Sequence, residues 1–136
     1  MIKHIAYSLA KAFPDANVYR ENIKKPEPPF FDIRRIKSEI YKKIGNCYEL
    51  YEKYEIKYFH SKDIGETSRE LLSCVALKMS EVLEIMEFNS EKLRGYDMNY
   101  RIEDGVLQFF LNVKKRLKKD KAYPLIKNLK NNIERK

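Results

Sequence analysis

The side chains best suited to chemistry in this 136-residue chain are two cysteines, two histidines and one acidic pair. A zinc site would draw on Cys47, Cys74, His4 and His60, because thiolate and imidazole are its usual donors. The two cysteines stand 27 positions apart, neither belongs to a CxxC pair, and each histidine is isolated, so no ligand spacing for a metal exists. Both cysteines read as reduced residues that pack as small hydrophobes. Glu103-Asp104 could exchange protons, but Asp104 precedes Gly105, and turn chemistry accounts for the pair. His60 ends an alternating stretch and reads as a surface or cap group, since a general base needs a partner and a pocket. The glycines at 45, 65, 95 and 105 are scattered singly, so there is no phosphate loop. There is also no nucleophile elbow and no Ser/His/Asp spacing. The expectation is a protein that is not an enzyme, with no catalytic, metal or cofactor site and no cofactor.

Charge points to contacts instead. The net charge is +8, and ten of the 28 Lys/Arg but only two of the 20 Asp/Glu fall within residues 114–136. Residues 1–113 therefore hold eighteen of each sign and are neutral, which is unlike a dedicated nucleic-acid-binding fold. The basic end suits phosphates, an acidic protein face or plain solvation. Ten tyrosines stand beside no tryptophan. Tyrosine suits half-buried sheet faces and protein–protein contacts; base stacking fits poorly, because the tyrosines sit in the neutral body. No apolar run approaches the ~18–20 residues that span a bilayer, so no membrane contact is expected. The opening MIKHIAYSLAKAF is too polar for a signal-peptide core, which makes an intracellular life the default.

The elements that would position these groups follow from periodicity. Residues 2–13 carry Ile2, Ile5, Ala6, Leu9, Ala10 and Phe13, the stripe of an amphipathic helix, stopped by Pro14-Asp15. Residues 17–23 alternate as a short strand. Residues 24–29 (KKPEPP) hold three prolines and read as an extended connector at a sheet edge. Residues 30–39 are aromatic and β-branched, a strand, followed by a Gly-Asn turn signal. In residues 47–60, Tyr48, Leu50, Tyr54, Ile56 and Tyr58 share one parity, while Glu49, Lys53, Glu55 and Lys57 share the other, which predicts one buried and one wet face. Thr67-Ser68-Arg69-Glu70 has the capping-box form, and Leu71, Leu72, Val75, Met79, Val82, Leu83 and Met86 follow at helical spacing, predicting a helix of ~20 residues or ~30 Å ended by Asn89-Ser90. Residues 93–113 read as a hairpin turning at Asp104-Gly105, with arms of ~8 residues. Pro124, Leu125, Leu129 and Ile133 would suit a marginal last helix. The predicted fold is α+β: a mostly antiparallel sheet of about four to five strands packed against a long central helix and an N-terminal helix. It occupies residues 1–113, with 114–136 as a basic extension.

Residues 93–113, LRGYDMNYRIEDGVLQFFLNV, resemble a signature of small tail terminator proteins from prophages of Gram-positive bacteria, those of PBSX-like defective prophages among them. Leu93, Arg94, Gly95, Asp97, Met98, Tyr100, Ile102, Asp104, Gly105, Val106, Leu107 and Phe110 match it. A looser pattern over residues 18–33 matches at Tyr19, Glu21, Pro29, Phe30, Phe31 and Ile33. The chain departs at Gln108, where the family often has His, and at Cys47, where Arg often precedes the aromatic.

The resemblance implies a structural tail terminator or collar protein of a virion or phage tail-like particle, assembled in the bacterial cytoplasm. Such proteins form a ring, usually of six, on the head-proximal end of the tail tube and end its growth. Partners would be further copies of the chain, the tail tube protein, a sheath protein if the tail contracts, and the head connector. In a headless contractile bacteriocin the ring would simply close the tube, and DNA would meet it only in passing through the lumen. The alternatives are a head–tail completion or neck protein, or a nucleic-acid-binding module working through the basic end. The candidate contacts are Lys24, Lys25, Pro26 and Pro28 in the proline-rich connector, Arg94 in the signature, Asp104 and Gly105 at the turn, and Lys114, Lys115, Arg116, Lys118 and Lys119 in the basic run.

Overall fold

Asp104 and Gly105 have φ of 51° and 72°, the left-handed pair that a two-residue hairpin turn needs. They join two long strands, β5 (Glu91–Glu103) and β6 (Val106–Lys118), which pair antiparallel. A second tight turn, with Gly45 at φ 81° and Asn46 at φ 62°, joins β2 (Phe30–Lys43) to β3 (Cys47–Phe59). Strands β3 and β6 pair along nearly their whole length, from Cys47 with Lys118 to Tyr58 with Leu107. Two four-residue strands complete the sheet: β1 (Asn17–Arg20), parallel to the start of β2, and β4 (Ile85–Phe88), antiparallel to the start of β5. The order is β1-β2-β3-β6-β5-β4. The computed structural model describes residues 1–20, 26–61 and 68–118.

The sheet curls into a half-barrel whose strands take up 57% of the described residues, and among these there are only two short helices. Two bulges help it curl, one between Arg35 and Lys37 on β2 and one between Tyr96 and Asn99 on β5, where Asp97 adopts φ 48°. Helices α1 (Ile2–Ala12) and α2 (Arg69–Val82) lie on the concave side, against each other and against the strands. At 11 residues α1 is shorter than the ~12–15 at which helices become even marginal alone. Burial holds it in place: Ile5 and Leu9 are wholly enclosed, each stabilising by roughly 1.5–3 kcal/mol. They meet Phe31, Ile33, Ile56, Phe109, Leu111 and Val113 from the sheet and Leu72, Ala76 and Met79 from α2 in one core.

This corrects the expected α+β domain of four to five strands on a long central helix. The predicted long helix is α2, of 14 residues, and it stops at Leu83. Met86 fits helical spacing, yet it lies on β4, where Ile85 and Glu87 point out and Met86 points in. Apolar residues at 79, 83 and 86 keep helical spacing, so periodicity alone carries the helix on into β4. The Gly95 N–H settles the outcome by donating to the carbonyls of Leu83 and Glu84, both at 3.1 Å, which ties the helix end to β5. Asn89-Ser90, expected to end a helix, is a hairpin turn with φ of 51° and 64°.

The helix cap is also displaced. Ser68 caps α2, its Oγ accepting the Leu71 N–H at 3.0 Å, so Glu70 is one position short of a capping box. Thr67, residues 21–23 of the first expected strand, and the expected last helix lie outside the described residues. Strand β6 runs five residues past Val113, so Lys114, Lys115, Arg116 and Lys118 belong to the sheet.

Candidate functional site

The long strands give the molecule two poles. Strand β3, of 13 residues, spans ~43 Å. At one pole lie the Asp104-Gly105 turn and the connector carrying Pro26 and Pro28 into β2, whose Phe30 pairs with Phe59. Phe30 and Phe59 stack at 4.6 Å, Tyr19 meets Phe30 edge-on, and the Tyr58 hydroxyl lies 2.8 Å from Nδ1 of His60. At the other pole the ends of β2 and β6 flank the start of β3 as a three-stranded arm carrying Lys114, Lys115, Arg116 and Lys118. Pro26, Pro28, Asp104 and Gly105 are thus gathered at one end and the basic candidates at the other. Lys24, Lys25 and Lys119 lie outside the described residues.

The outer face of the arm is built around one carboxylate. Glu49 is only 4% exposed although it falls on the parity expected to be wet. It accepts the Tyr51 hydroxyl at 2.6 Å, and Lys114, Arg116 and Lys43 approach it at 3.4, 3.4 and 3.6 Å. The Tyr51 hydrogen bond, with those of Lys114 and Arg116, holds its pKa down at about 2. Lys115 meets Glu91 at 2.7 Å, so three of the four described bases of the run, Lys114, Lys115 and Arg116, are engaged within the fold. Next to Glu49, Tyr51, Arg94, Tyr96 and Lys114 line a shallow cleft of about 400 Å³, which brings the signature candidate Arg94 beside the basic candidate Lys114.

A second carboxylate, Glu52, lies on the inner face. Arg35 meets it at 3.0 Å and the Tyr54 hydroxyl donates to it at 2.8 Å. Burial first, and then this hydrogen bond, push the Tyr54 phenol well above its ordinary value. Sequence reasoning missed Glu52, though it shares the parity of Tyr54, Ile56 and Tyr58 and so had to be buried and partnered.

Beyond Glu52 the inner face of the arm is apolar and open. Ile40, Leu50 and Tyr48 follow one another across β2 and β3, with Leu117 beside Tyr48 on β6. Ile40 is 69% exposed, and Ile44 at the tip is wholly exposed. A different surface flanks the molecule elsewhere: on α2 and β4, Leu77 and Ile85 are 61% and 65% exposed among Glu70, Glu81, Glu84 and Glu87. None of these four carboxylates has a partner among the described residues.

None of these groups makes a reaction centre. Among the described residues no set of His, Cys, Asp and Glu could hold a metal, and no helix is long and apolar enough to cross a membrane. The cysteines are free, but Cys74 is exposed on α2, contrary to the buried small hydrophobe expected. His4 is buried beside Phe88, its pKa lowered by burial, with no nucleophile beside it.

The signature residues, meanwhile, sit where the backbone needs them. Gly95 faces the Leu83 carbonyl, where a Cβ would come within 2.4 Å; Asp97 sits in the bulge; Asp104 and Gly105 form the turn. A curled sheet with two unlike poles, buried ion pairs and open apolar faces defines a docking scaffold. A family model described as phage tail terminator protein matches residues 1–124, and the chain belongs to that family. It is a structural family, so the chain is a phage tail component with a terminator role. No curated protein matches. Among solved structures, one chain is 14% identical, with 84% of this chain and 93% of that one covered and a TM-score of 0.40, too distant to carry an argument.

Proposed function

We propose that copies of the chain close into a ring, of six by the family resemblance, on the head-proximal end of a tail tube and so end its growth. The observation that carries this reading is the pair of unlike surfaces on one subunit: a basic, apolar arm and an acidic, apolar helix flank. A closed ring needs a heterologous contact, in which two different patches meet around a rotation that returns to its start. The poles, ~43 Å apart along β3, give the ring two different axial faces, one for the tube and one for the head connector. The turn at Asp104-Gly105 with Pro26 and Pro28, and the basic arm, are the candidate contacts on those faces. A sheath protein would be met in a contractile tail, and in a headless bacteriocin the ring would simply close the tube. Assembly takes place in the bacterial cytoplasm.

A nucleic-acid-binding role is disfavoured by Glu49, which engages Lys43, Lys114 and Arg116 and leaves less free charge for phosphates. Electron microscopy of particles made with and without the gene tests the proposal. Tubes of uncontrolled length in its absence, and a ring at the tube end in its presence, are expected. Unchanged length and closure without the gene would refute it.

A further inference from the structure

We infer that the inner face of the arm docks onto the α2–β4 flank of the next copy of this chain, and that this contact closes the ring. The inference rests on the ring reading and names its interface.

The argument starts from what each surface lacks. The arm face carries Ile40, Tyr48, Leu50 and Leu117, with Lys42 on the same side of the strands and Lys115 beside it paired to Glu91 at 2.7 Å. Elsewhere the same face of the sheet is covered by helices, and Ile33, Ile56 and Phe109 are buried there. Along the arm the cover ends while the apolar pattern continues. Lys42 has no ion pair among the described residues. The helix flank is the complement. Glu70, Cys74, Leu77 and Glu81 fall at i, i+4, i+7 and i+11 of α2, one stripe along its outer side, and Glu84 and Ile85 extend it. An apolar centre with Lys42 at its edge, unpaired among the described residues, faces an apolar centre edged by acids.

The sizes agree. Five residues of arm span ~17 Å and three strands ~10 Å. The stripe from Glu70 to Glu84 runs ~21 Å at the helical rise. Such a patch falls well short of the ~800 Å² per partner of a standard stable interface. A single contact is therefore weak, and it gains strength only when the ring closes or the tube end holds neighbours side by side. The two patches are different, so the contact propagates head to tail and cannot stop at a dimer.

Cys74, free and exposed within the stripe, makes the contact measurable. In a Cys47→Ser background, Ile40→Cys places a thiol on the arm at an exposed position, and Lys42→Cys serves if the first variant folds poorly. Under mild oxidation of full-length chain, in solution and on particles, a ladder of disulfide-linked multimers is expected. Adding Cys74→Ser leaves one thiol per chain and should yield monomers alone, with no disulfide-linked dimers. In the same assay, Lys42→Glu should cut the yield about fivefold or more, and Glu81→Lys in the same chain should restore it, because like charges repel across an interface and opposite charges select a partner. Disulfide-linked dimers that persist after Cys74→Ser would mean arm against arm and would overturn the inference. So would crosslinks that appear only after removal of residues 119–136, which would mean that the chain's own end covers the arm. Rings seen by microscopy without a disulfide between the arm thiol and Cys74 would overturn this interface and leave the ring standing. Absence of multimers in solution and at tube ends alike would overturn both.

Discussion

Replacing Gly95 with alanine is expected to destabilise the fold by about 2–4 kcal/mol, and the sum can be worked from distances. The new Cβ would stand 2.4 Å from the Leu83 carbonyl oxygen, 2.9 Å from Met98 Cε and 3.2 Å from Leu111 Cδ1. The methionine end can swing away; the backbone oxygen cannot. Ordinary C···O contacts are about 3.3 Å, so β5 and the end of α2 must separate by roughly 0.9 Å. The Gly95 N–H bonds to Leu83 and Glu84, both 3.1 Å now, would then stretch beyond hydrogen-bond range. Losing them costs about 0.5–1.5 kcal/mol each, and overpacking strain adds about 1–3 kcal/mol. Against this, alanine restricts the unfolded chain by only about 0.4–1 kcal/mol. The clash wins. For a chain of this size the midpoint should fall by roughly 8–15 °C in thermal unfolding followed by circular dichroism. Gly45→Ala is the control, since it has φ 81° but open space around it and should lose only about 1 kcal/mol. A Gly95→Ala midpoint equal to or above wild type would refute the close-approach reasoning.

Other consequences are equally direct. Glu49 has a folded pKa of about 2, below its ordinary 4.5, so its stabilisation is present above pH 4.5 and lost as pH falls toward 2. The urea midpoints of wild type and Glu49→Gln should differ by a constant amount above pH 5 and converge near pH 2; a gap unchanged by pH would contradict the ion cluster. His4 is depressed below 6.5 by burial, opposed by Glu91, so its contribution is present above pH 6.5 and lost as pH falls. His4→Phe, next to Phe88, should therefore gain on wild type between pH 7 and 5 in the same assay. Tyr54→Phe removes the donor to Glu52 Oε1 and should cost about 1–2 kcal/mol, read by denaturant unfolding, with m unchanged.

What the sequence made legible was local. The Asp104-Gly105 hairpin, the stripe of α1 and the alternation of β3 are each written in a period or a turn residue, and each stands near its expected place. The helix of ~20 residues failed because Met86 keeps the helical spacing of Met79 and Leu83, while the chain is turned into β4 where the distant Gly95 ties down Leu83 and Glu84. Strand β4 and the full length of β5 and β6 depend on partners brought from elsewhere in the chain, which no window of residues contains. The candidate contacts fared unevenly for the same reason. Charge density pointed to residues 114–118, but not to Glu49, which pairs with two of them, Lys114 and Arg116. The acidic stripe of α2 was readable as the helix's outer side, yet attention to the apolar side passed over it.

The outermost strands, β1 and β4, are only four residues long, and they cover just the beginnings of β2 and β5. Among the described residues the remainder of each long strand has no strand partner on its outer edge, an invitation to sheet-to-sheet zippering. Each of those two bare borders is interrupted by its own bulge, at Arg35/Lys37 and at Tyr96/Asn99, and the first is studded with Lys37, Lys42 and Lys43. A foreign strand laid along either border would find its ladder broken within a few residues. A member of the tail terminator family is in this way poorly suited to polymerising through its own sheet edges.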